Sequence, residues 1–283
     1  MSRRYDTVSF LSDYGTADEF VGLVKAVIRD LAPHVSVLDI THEIAPFDVR
    51  AGSLALARSI AYLPSGVVLA VVDPGVGTDR RAIAVEVAGG NGVIVGPDNG
   101  LIASAVALAG GAERAVVLDN VDLHLDAPGA TFAGRDVFAP VVAHLCNGVP
   151  FDALGTAIDP ELLLPGVVPV AREENGGLAV EVTWVDRYGN CQLNVGPDDV
   201  AGWGPRLRVT IDGMGRSAPV VSNFAEAGTG VALVIDSYGM LALCTDRQSA
   251  ALELGLGPGS AVFLSPLGDD DVPSTRVTLG QRR

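Results

Sequence analysis

Four acidic residues share one placement, directly after an apolar run typical of a strand and no more than a few residues before Gly, Pro or Asn. They are Asp13 after "VSFLS", Asp73 after "VVLAVV", Asp98 (with Asn99 next to it) after "GVIVGP", and Asp186 after "VEVTWV". One such acid is ordinary turn chemistry, whereas several at the edge of one sheet are typical of a polar-ligand site. Carboxylates there suit ribose hydroxyls, ammonium groups and cations.

The segment "VVDPGVGTDRR" allows two interpretations. Asp-Pro-Gly is a turn signature, and Arg80 and Arg81 can be solvated charges. Alternatively, Asp73 ends a parallel strand, which is where open α/β sheets place their ligand crevice. The segment alone leaves both interpretations open.

Other kinds of site find little support in the sequence. The acids lie in separate segments without the spacing of a calcium loop, and the four histidines form no paired motif. There is no Walker A loop, no dinucleotide glycine fingerprint and no Gly-x-Ser-x-Gly elbow. We therefore predict no metal site.

The order of predicted elements divides the chain in two. Residues 1–168 alternate strand and helix, which predicts an α/β domain with a mainly parallel sheet; "RAIAVEVAGGNGVIVGPDNG" within it is typical of a hairpin. Residues 169–283 carry short β runs without a convincing long helix, which predicts an all-β barrel or sandwich.

Composition narrows the possible partners and compartment. The net charge of −15, from 34 acids and 19 bases, argues against a nucleic-acid partner. No run approaches the roughly twenty apolar residues of a membrane helix, so we expect no membrane association. Three distant cysteines suggest neither a metal site nor a disulfide framework, and with no signal-like N-terminus they favour the cytoplasm.

Six motifs in order make the chain similar to a known family. They are "FLSDYG", "DITHEIAPFDVRAG", "VVDPGVGTDRRAI", "GPDNGL", "TFAGRDVFAP" and "DRYGN". Together they resemble the S-adenosyl-L-methionine (SAM) hydroxide adenosyltransferases, relatives of the SAM-dependent fluorinase and chlorinase. The resemblance implies an N-terminal α/β domain and a C-terminal β-barrel. It also implies a homotrimer in which SAM binds between one subunit's N-terminal domain and a neighbour's C-terminal domain.

For the N-terminal domain, the resemblance implies that Asp73 and Arg80 position and activate a water molecule. Asp13 would hold the ribose hydroxyls, Phe47 would pack near the ribose or adenine, and Asn99 would contact the substrate. The sequence departs from the family pattern at one place. The family reads "TFHGRD", completing an Asp-Arg-His set, but this chain has Ala133 in place of the histidine.

For the C-terminal domain, the resemblance assigns the rest of the substrate. Asp186 and Ser237 would bind the methionine ammonium and carboxylate, Asn190 the adenine edge, and Phe224 the adenine face. Tyr238 stands where some halogenases have an arginine, so it would contact the carboxylate more weakly.

The implied reaction is SAM plus water to adenosine and L-methionine, with SAM as substrate and no cofactor. We expect Arg80 to lower the pKa of Asp73, which favours orientation of the water over its full deprotonation. Two alternatives stay open: a SAM-dependent halogenase forming 5′-chloro-5′-deoxyadenosine, and a SAM- or adenosine-binding sensor with little turnover. The Asp-Pro-Gly segment, where halogenases carry a Tyr-Pro-type segment, favours hydrolysis.

Overall fold

The computed structural model describes residues 5–267. The chain forms two compact units, Met1–Val168 and Pro169–Arg283. Within the described residues, none of the helices combines the length and the apolar character that crossing a bilayer requires.

Unit 1 is built on a seven-stranded sheet with the order β2-β1-β3-β5-β4-β6-β7. The pairs β2–β1, β1–β3 and β3–β5 are parallel, and the remaining three are antiparallel. The elements are β1 Thr7–Ser12, α1 Phe20–Leu31, β2 Ser36–Thr41, α2 Val49–Ser59, β3 Val67–Val71, β4 Ala82–Val87, β5 Gly92–Pro97, α3 Ala103–Leu108, β6 Arg114–Val117, α4 Ala139–Cys146 and β7 Ala157–Ile158.

Helices cover both faces of this sheet, as the sequence of the interior strand β3 requires. In β3, successive side chains point to opposite faces, so Leu69 joins one apolar cluster and Ala70 the other. The first cluster contains residues of α1 and α4, and the second contains residues of α2 and α3. A strand buried on both sides reads as a continuous apolar run, which is why "VVLAVV" shows no alternation.

Two details of unit 1 concern its hairpin and the segment before α4. The β4–β5 hairpin is confirmed, but its loop is Ala88–Asn91, because Gly92 already pairs with Val87. The segment before α4 is a π-helix, Gly134–Phe138, which continues directly into α4. π-Helical turns are frequent at functional sites.

Unit 2 is a closed seven-stranded barrel, which settles the choice between barrel and sandwich. Its strands follow the order β10-β14-β13-β12-β11-β15-β9, and β9 pairs with β10 to close the ring. The short β8 pairs alongside β9. The elements are β8 Arg172–Glu174, β9 Gly177–Val185, β10 Cys191–Leu193, β11 Arg206–Ile211, β12 Met214–Val221, β13 Ala232–Ile235, β14 Leu241–Cys244, α5 Ala250–Leu254 and β15 Ala261–Pro266.

The barrel interior follows from alternation along its strands. In β11 the buried residues are Leu207, Val209 and Ile211, while the residues between them are more exposed. They pack in one cluster with Val180 and Val182 of β9.

Candidate active site

Three neighbouring parallel strands deliver polar residues to one edge of the unit 1 sheet. Strand β3 lies between β1 and β5, and Asp13, Asp73 and Asn99 follow the carboxyl ends of these strands. The Asp13 backbone N–H donates to the Val71 carbonyl at 3.3 Å, and Asn99 Nδ2 donates to the Val72 carbonyl at 2.9 Å. The structure therefore brings these three predicted residues together at the carboxyl edge of the sheet, which is where open α/β sheets bind their ligands.

Asp73 and Arg80 form a buried ion pair at this edge. Arg80 Nε donates to Asp73 Oδ1 at 2.9 Å, and Nη2 donates to Oδ2. The two side chains are only 5% and 11% exposed, respectively. The intervening residues form the predicted turn, with the Thr78 N–H donating to the Gly75 carbonyl at 3.2 Å. The predicted turn is confirmed, but Arg80 is not a solvated charge, because the turn returns it to Asp73. Binding of a ligand at Asp73 remains a prediction.

The pKa of Asp73 is raised, contrary to the expectation of a lowered value. Burial of the carboxylate is the largest cause, and the Asp13 charge adds to it. The Arg80 charge, its hydrogen bonds and the Gly75 N–H act in the opposite direction, but they do not offset the loss of hydration. A carboxylate with a raised pKa is a better proton acceptor than the sequence led us to expect.

The adjacent Arg81 makes different contacts from Arg80. Its guanidinium pairs with Asp98 Oδ2 and donates to the Leu162 carbonyl at 2.7 Å. Asp98 Oδ1 accepts from the Leu164 N–H at 2.9 Å. Asp98 is therefore committed to holding a neighbouring loop, although its position after β5 resembles that of the other acids.

Asn99 is also engaged with the backbone. Besides the bond to Val72, its Oδ1 accepts from the Leu101 N–H at 3.1 Å. One amide hydrogen and one lone pair stay available for a ligand. Its substrate contact remains a prediction.

Asp13 fixes an exposed aromatic residue beside it. Asp13 Oδ2 accepts from the Phe47 N–H at 2.9 Å, and Phe47 adopts a left-handed backbone with φ of +68°. Phe47 as a whole is 72% exposed. This backbone conformation is sterically unfavourable for a residue other than glycine. Because Phe47 is also exposed, core packing does not explain why the loop holds this conformation, and strain of this kind is typical of functional sites.

The loop that carries Asp13 is anchored from inside the unit. His42 is buried, its Nδ1 lies 2.8 Å from Ser12 Oγ, and its carbonyl accepts from the Gly15 N–H at 2.7 Å. Ser12 Oγ also accepts from the Tyr14 N–H at 3.3 Å. These bonds hold residues 12–15 in place.

The site also contains Tyr14, which the sequence analysis did not single out. Its ring packs edge-on against Phe10 and Phe132 and tilts against Phe20. Its hydroxyl lies against Gly134, the residue after Ala133. Burial raises the pKa of Tyr14, and the charges of Asp13 and Asp73 raise it further. Its place in "FLSDYG", next to Asp13, is the signal that could have identified it.

In unit 2, four of the five predicted binding residues line adjoining pockets. Asp186, Asn190, Phe224 and Ser237 take part in both, and Phe224 is 46% exposed. The fifth, Tyr238, does not line them; its ring meets Trp184, which does, edge-on at 6.1 Å between centroids. The roles of all five toward a ligand remain predictions.

Asp186 organises its own loop. Its Oδ1 accepts from the N–H groups of Tyr188 and Asn190 at 2.9 and 2.8 Å, and its Oδ2 accepts from Asn190 Nδ2 at 2.7 Å. Asp186 therefore orients the side-chain amide of Asn190. This contact determines which end of the amide, Nδ2 or Oδ1, faces a ligand.

A second aspartate, missed by the sequence analysis, repeats this arrangement. Asp236 Oδ1 accepts from the N–H groups of Tyr238 and Met240 at 2.8 and 3.0 Å. Its Oδ2 accepts from Gln192 Nε2 at 2.6 Å. Asp236 thereby shapes the turn that presents Ser237.

Within residues 5–267, no three His, Cys, Asp or Glu side chains are grouped so that they could hold a metal ion. The three cysteines are free and buried.

Both units match one protein family. Residues 8–155 match the SAM hydroxide adenosyltransferase N-terminal domain, and residues 180–263 match the corresponding C-terminal domain.

Individual relatives cover nearly the whole chain. The (R)-S-adenosyl-L-methionine hydrolase of Salinispora tropica is 44% identical over 89% of this chain and 95% of its own length. The protein of the same name from Thermus thermophilus is 41% identical, over 91% and 98% respectively. The crystal structure of a conserved protein from Thermotoga maritima superposes with a TM-score of 0.83 at 32% identity, covering 91% of this chain and 99% of that one. A fluorinase of Actinoplanes is more distant, at 27% identity.

Proposed function

This chain belongs to the SAM hydroxide adenosyltransferase family, and we propose that it is an enzyme that hydrolyses SAM to adenosine and L-methionine. The observation that carries the proposal is the buried Asp73–Arg80 pair at the sheet edge that also holds Asp13. This pair can hold and activate a water molecule beside a nucleoside. The greater similarity to hydrolases than to the fluorinase agrees with it.

In the proposed reaction, water attacks C5′ of the ribose in line with the C5′–S bond. The electron pair of that bond goes to sulfur, which leaves as a neutral thioether, so the leaving group needs no general acid. One water proton passes to the Asp73 carboxylate and from there to solvent. Holding the reactants in line supplies up to roughly 7–11 kcal/mol in ideal cases, and a positioned base typically adds 10²–10⁴-fold.

The bidentate pair explains how Asp73 does this. Arg80 fixes both carboxylate oxygens in orientation, while burial raises the pKa of Asp73 and so restores its basicity. Orientation and proton acceptance are therefore combined in one group.

The remaining predicted residues would bind the substrate. Asp13 suits the ribose hydroxyls, because its second oxygen stays available after Oδ2 is engaged by Phe47. The exposed Phe47 ring lies next to it, ready to cover the sugar or base. Asn99 would contact the substrate from the end of β5.

The unit 2 residues would take the other parts of SAM. Asp186 and Ser237 suit the ammonium and carboxylate of the methionine moiety, with Tyr238 as a weaker contact. Asn190 and Phe224 suit the edge and face of the adenine. Their common position around adjoining pockets supports this division.

We propose that the reaction needs neither a metal ion nor a cofactor, because the departing thioether is neutral and the nucleophile has a protein base. SAM incubated with the pure protein in ¹⁸O-labelled water is the decisive test, with adenosine and methionine measured by chromatography and mass spectrometry. We expect adenosine carrying ¹⁸O at the 5′ position, with or without EDTA. Unlabelled adenosine would exclude attack by water, and loss of activity in EDTA restored by a divalent cation would exclude the metal-free reaction.

The same incubation separates the alternatives. A chloride-dependent 5′-chloro nucleoside would identify a halogenase. Tight SAM binding without adenosine release would identify a sensor.

We further propose a cytoplasmic homotrimer, in which unit 1 of one chain and unit 2 of another form each site. The family resemblance supports this assembly. Mixing two inactive variants tests it: Asp73→Asn lacks the base, and Asp186→Ala lacks the ammonium partner. Mixed trimers should regain part of the activity, because some sites then receive an intact contribution from each chain. No regain after subunit exchange, or a fully active monomer by light scattering, would contradict shared sites.

A further inference from the structure

The Asp73–Arg80 pair accounts for only one hydrogen bond of the proposed water molecule. Ala133 stands where the family pattern has a histidine, and a methyl group cannot form a hydrogen bond. A water molecule with one hydrogen bound to Asp73 still rotates about that bond. A second polar group is needed to direct its lone pair toward C5′.

The Tyr14 hydroxyl lies next to the vacant histidine position. A Cβ atom at Gly134 would overlap the Tyr14 hydroxyl oxygen and lie 3.1 Å from Cζ, so the phenol end abuts the backbone immediately after Ala133. Any side chain larger than glycine at 134 would push the ring away. Tyr14 thus approaches from β1 the segment from which the family histidine would project.

The ring that carries this hydroxyl is tightly located. Its centroid lies 5.7 Å from that of Phe20, 5.8 Å from that of Phe132 and 6.4 Å from that of Phe10. Aromatic contacts of this kind restrict the ring without engaging the hydroxyl. In the described part of the chain, the hydroxyl makes no hydrogen bond to another protein group.

The charges around Tyr14 are those of the site. Asp13, Asp73 and Arg80 all act on it, and burial together with both carboxylates keeps the phenol in its neutral form. A neutral phenol can accept a hydrogen bond as well as donate one. It is therefore suited to hold a water molecule, not to serve as a base.

We propose that the Tyr14 hydroxyl replaces the family histidine as the third group that holds the attacking water. The inference rests on the proposed hydrolysis of SAM. Asp73 accepts the hydrogen bond from one water O–H, Tyr14 accepts it from the other, and a lone pair is left facing C5′. As the C–O bond forms and the C5′–S pair moves to sulfur, the first proton passes to Asp73, and Tyr14 keeps its own hydrogen throughout.

His124 is the competing candidate, because its Nε2 is buried without a hydrogen-bond partner among the described residues. Its ring, however, interacts with the Leu118 backbone and the Asp119 charge. Both groups lie at the end of β6, two strands from β5 in the sheet order. The structure thus favours Tyr14.

The experiment compares steady-state SAM hydrolysis by wild type and by Tyr14→Phe, which keeps the ring and removes the hydroxyl. We expect kcat to fall about 10- to 100-fold with KM changed less than about threefold, as for loss of one positioned hydrogen bond in the transition state. Tyr5→Phe is the matched control, because its buried hydroxyl donates to the Gly90 carbonyl at 3.1 Å, at the loop between β4 and β5. It should retain wild-type kcat.

A rescue variant distinguishes water holding from a structural role. Tyr14→Phe combined with Ala133→His restores the family arrangement, and we expect it to recover at least several-fold of the lost kcat. A Tyr14→Phe protein with unchanged kcat, or a His124→Gln protein that loses as much as Tyr14→Phe, would overturn the assignment. Loss without rescue, accompanied by a lowered melting temperature, would likewise assign Tyr14 to structure. A wild type that releases no adenosine would overturn both proposals, whereas an active wild type with an indifferent Tyr14→Phe overturns this one alone.

Discussion

Arg80 donates hydrogen bonds to both carboxylate oxygens of Asp73, from Nε to Oδ1 at 2.9 Å and from Nη2 to Oδ2. The six residues between them, 74–79, form a turn that brings the two side chains together. Because each residue holds the other in place, substitutions of the two should have related but distinguishable effects.

Asp73→Asn preserves the shape of the side chain and removes its charge. We expect kcat to fall by roughly 10²–10⁴-fold, as for removal of a general base, because an amide cannot take the proton. The KM for SAM should change little, since Asp73 is assigned to the water. Steady-state kinetics measure both, and normal turnover would return this segment to a purely structural turn.

Arg80→Lys keeps the positive charge but cannot form the two-pronged contact. We expect kcat to fall about tenfold, because the carboxylate is then held less precisely. Arg81→Lys is the matched control, since the adjacent arginine pairs with Asp98. Equal losses in the two variants would mean that the effect is on folding and not on Asp73.

The raised pKa of Asp73 predicts opposite responses of activity and stability to acid. Activity needs the ionised carboxylate, so kcat/KM, which reports the free enzyme, should decline as pH falls through the raised pKa. The folded state binds the Asp73 proton more tightly than the unfolded state does. Ionisation of Asp73 therefore destabilises the folded state relative to the unfolded state. This destabilisation is present above the pKa of the folded state and is lost as pH falls through that pKa.

Comparison with Asp73→Asn isolates this contribution. The variant should lack the Asp73 limb in its pH–rate profile, and its melting temperature relative to wild type should fall as pH falls. A relative melting temperature that rises on acidification would show a lowered pKa instead.

Gly134→Ala should disturb the site through Tyr14. The added methyl group would overlap the Tyr14 hydroxyl, and the ring is confined by its aromatic neighbours. We expect kcat to fall at least tenfold, close to the effect of Tyr14→Phe. Gly129→Ala is the control, because a Cβ there meets nothing within 4 Å.

The three cysteines should resist alkylation in the native protein. All are buried, and burial raises the pKa of Cys146 to about 12 and those of Cys191 and Cys244 to about 11. Little thiolate is then present at pH 8. Mass spectrometry after iodoacetamide treatment should find three labels in denaturant and essentially none without it. Rapid native labelling would contradict the burial.

Local patterns in the sequence predicted most of the fold. The helical spacing in α1 and the buried run of β3 are strong because packing and periodicity agree there. Some strands show only a weak sequence pattern, such as β10, which has three residues, and β12, which contains Pro219. Pairing with neighbouring strands of the barrel stabilises them. The barrel itself depends on β9 pairing with both β15 and β10, which local alternation does not encode.

The candidate site was predictable to a similar extent. Placement at strand ends identified Asp13, Asp73 and Asn99, since parallel strands bring their carboxyl ends to one edge. The direction of the Asp73 pKa was not predictable, because it depends on how burial compares with the Arg80 charge. Tyr14 was missed because its proximity to Gly134 joins segments about 120 positions apart, and only tertiary structure shows such a neighbour.

Closure of the unit 2 barrel has a consequence for the protein at high concentration. An open strand edge offers unpaired N–H and C=O groups to other molecules, and this is a common route to aggregation. In the described part of unit 2, the exposed edge is β8, which is three residues long and reads Arg-Glu-Glu. A short, charged and solvent-exposed edge strand disfavours pairing with a hydrophobic strand of a misfolded neighbour. Unit 2 thus protects itself against strand exchange by topology and charge, without needing a covering helix.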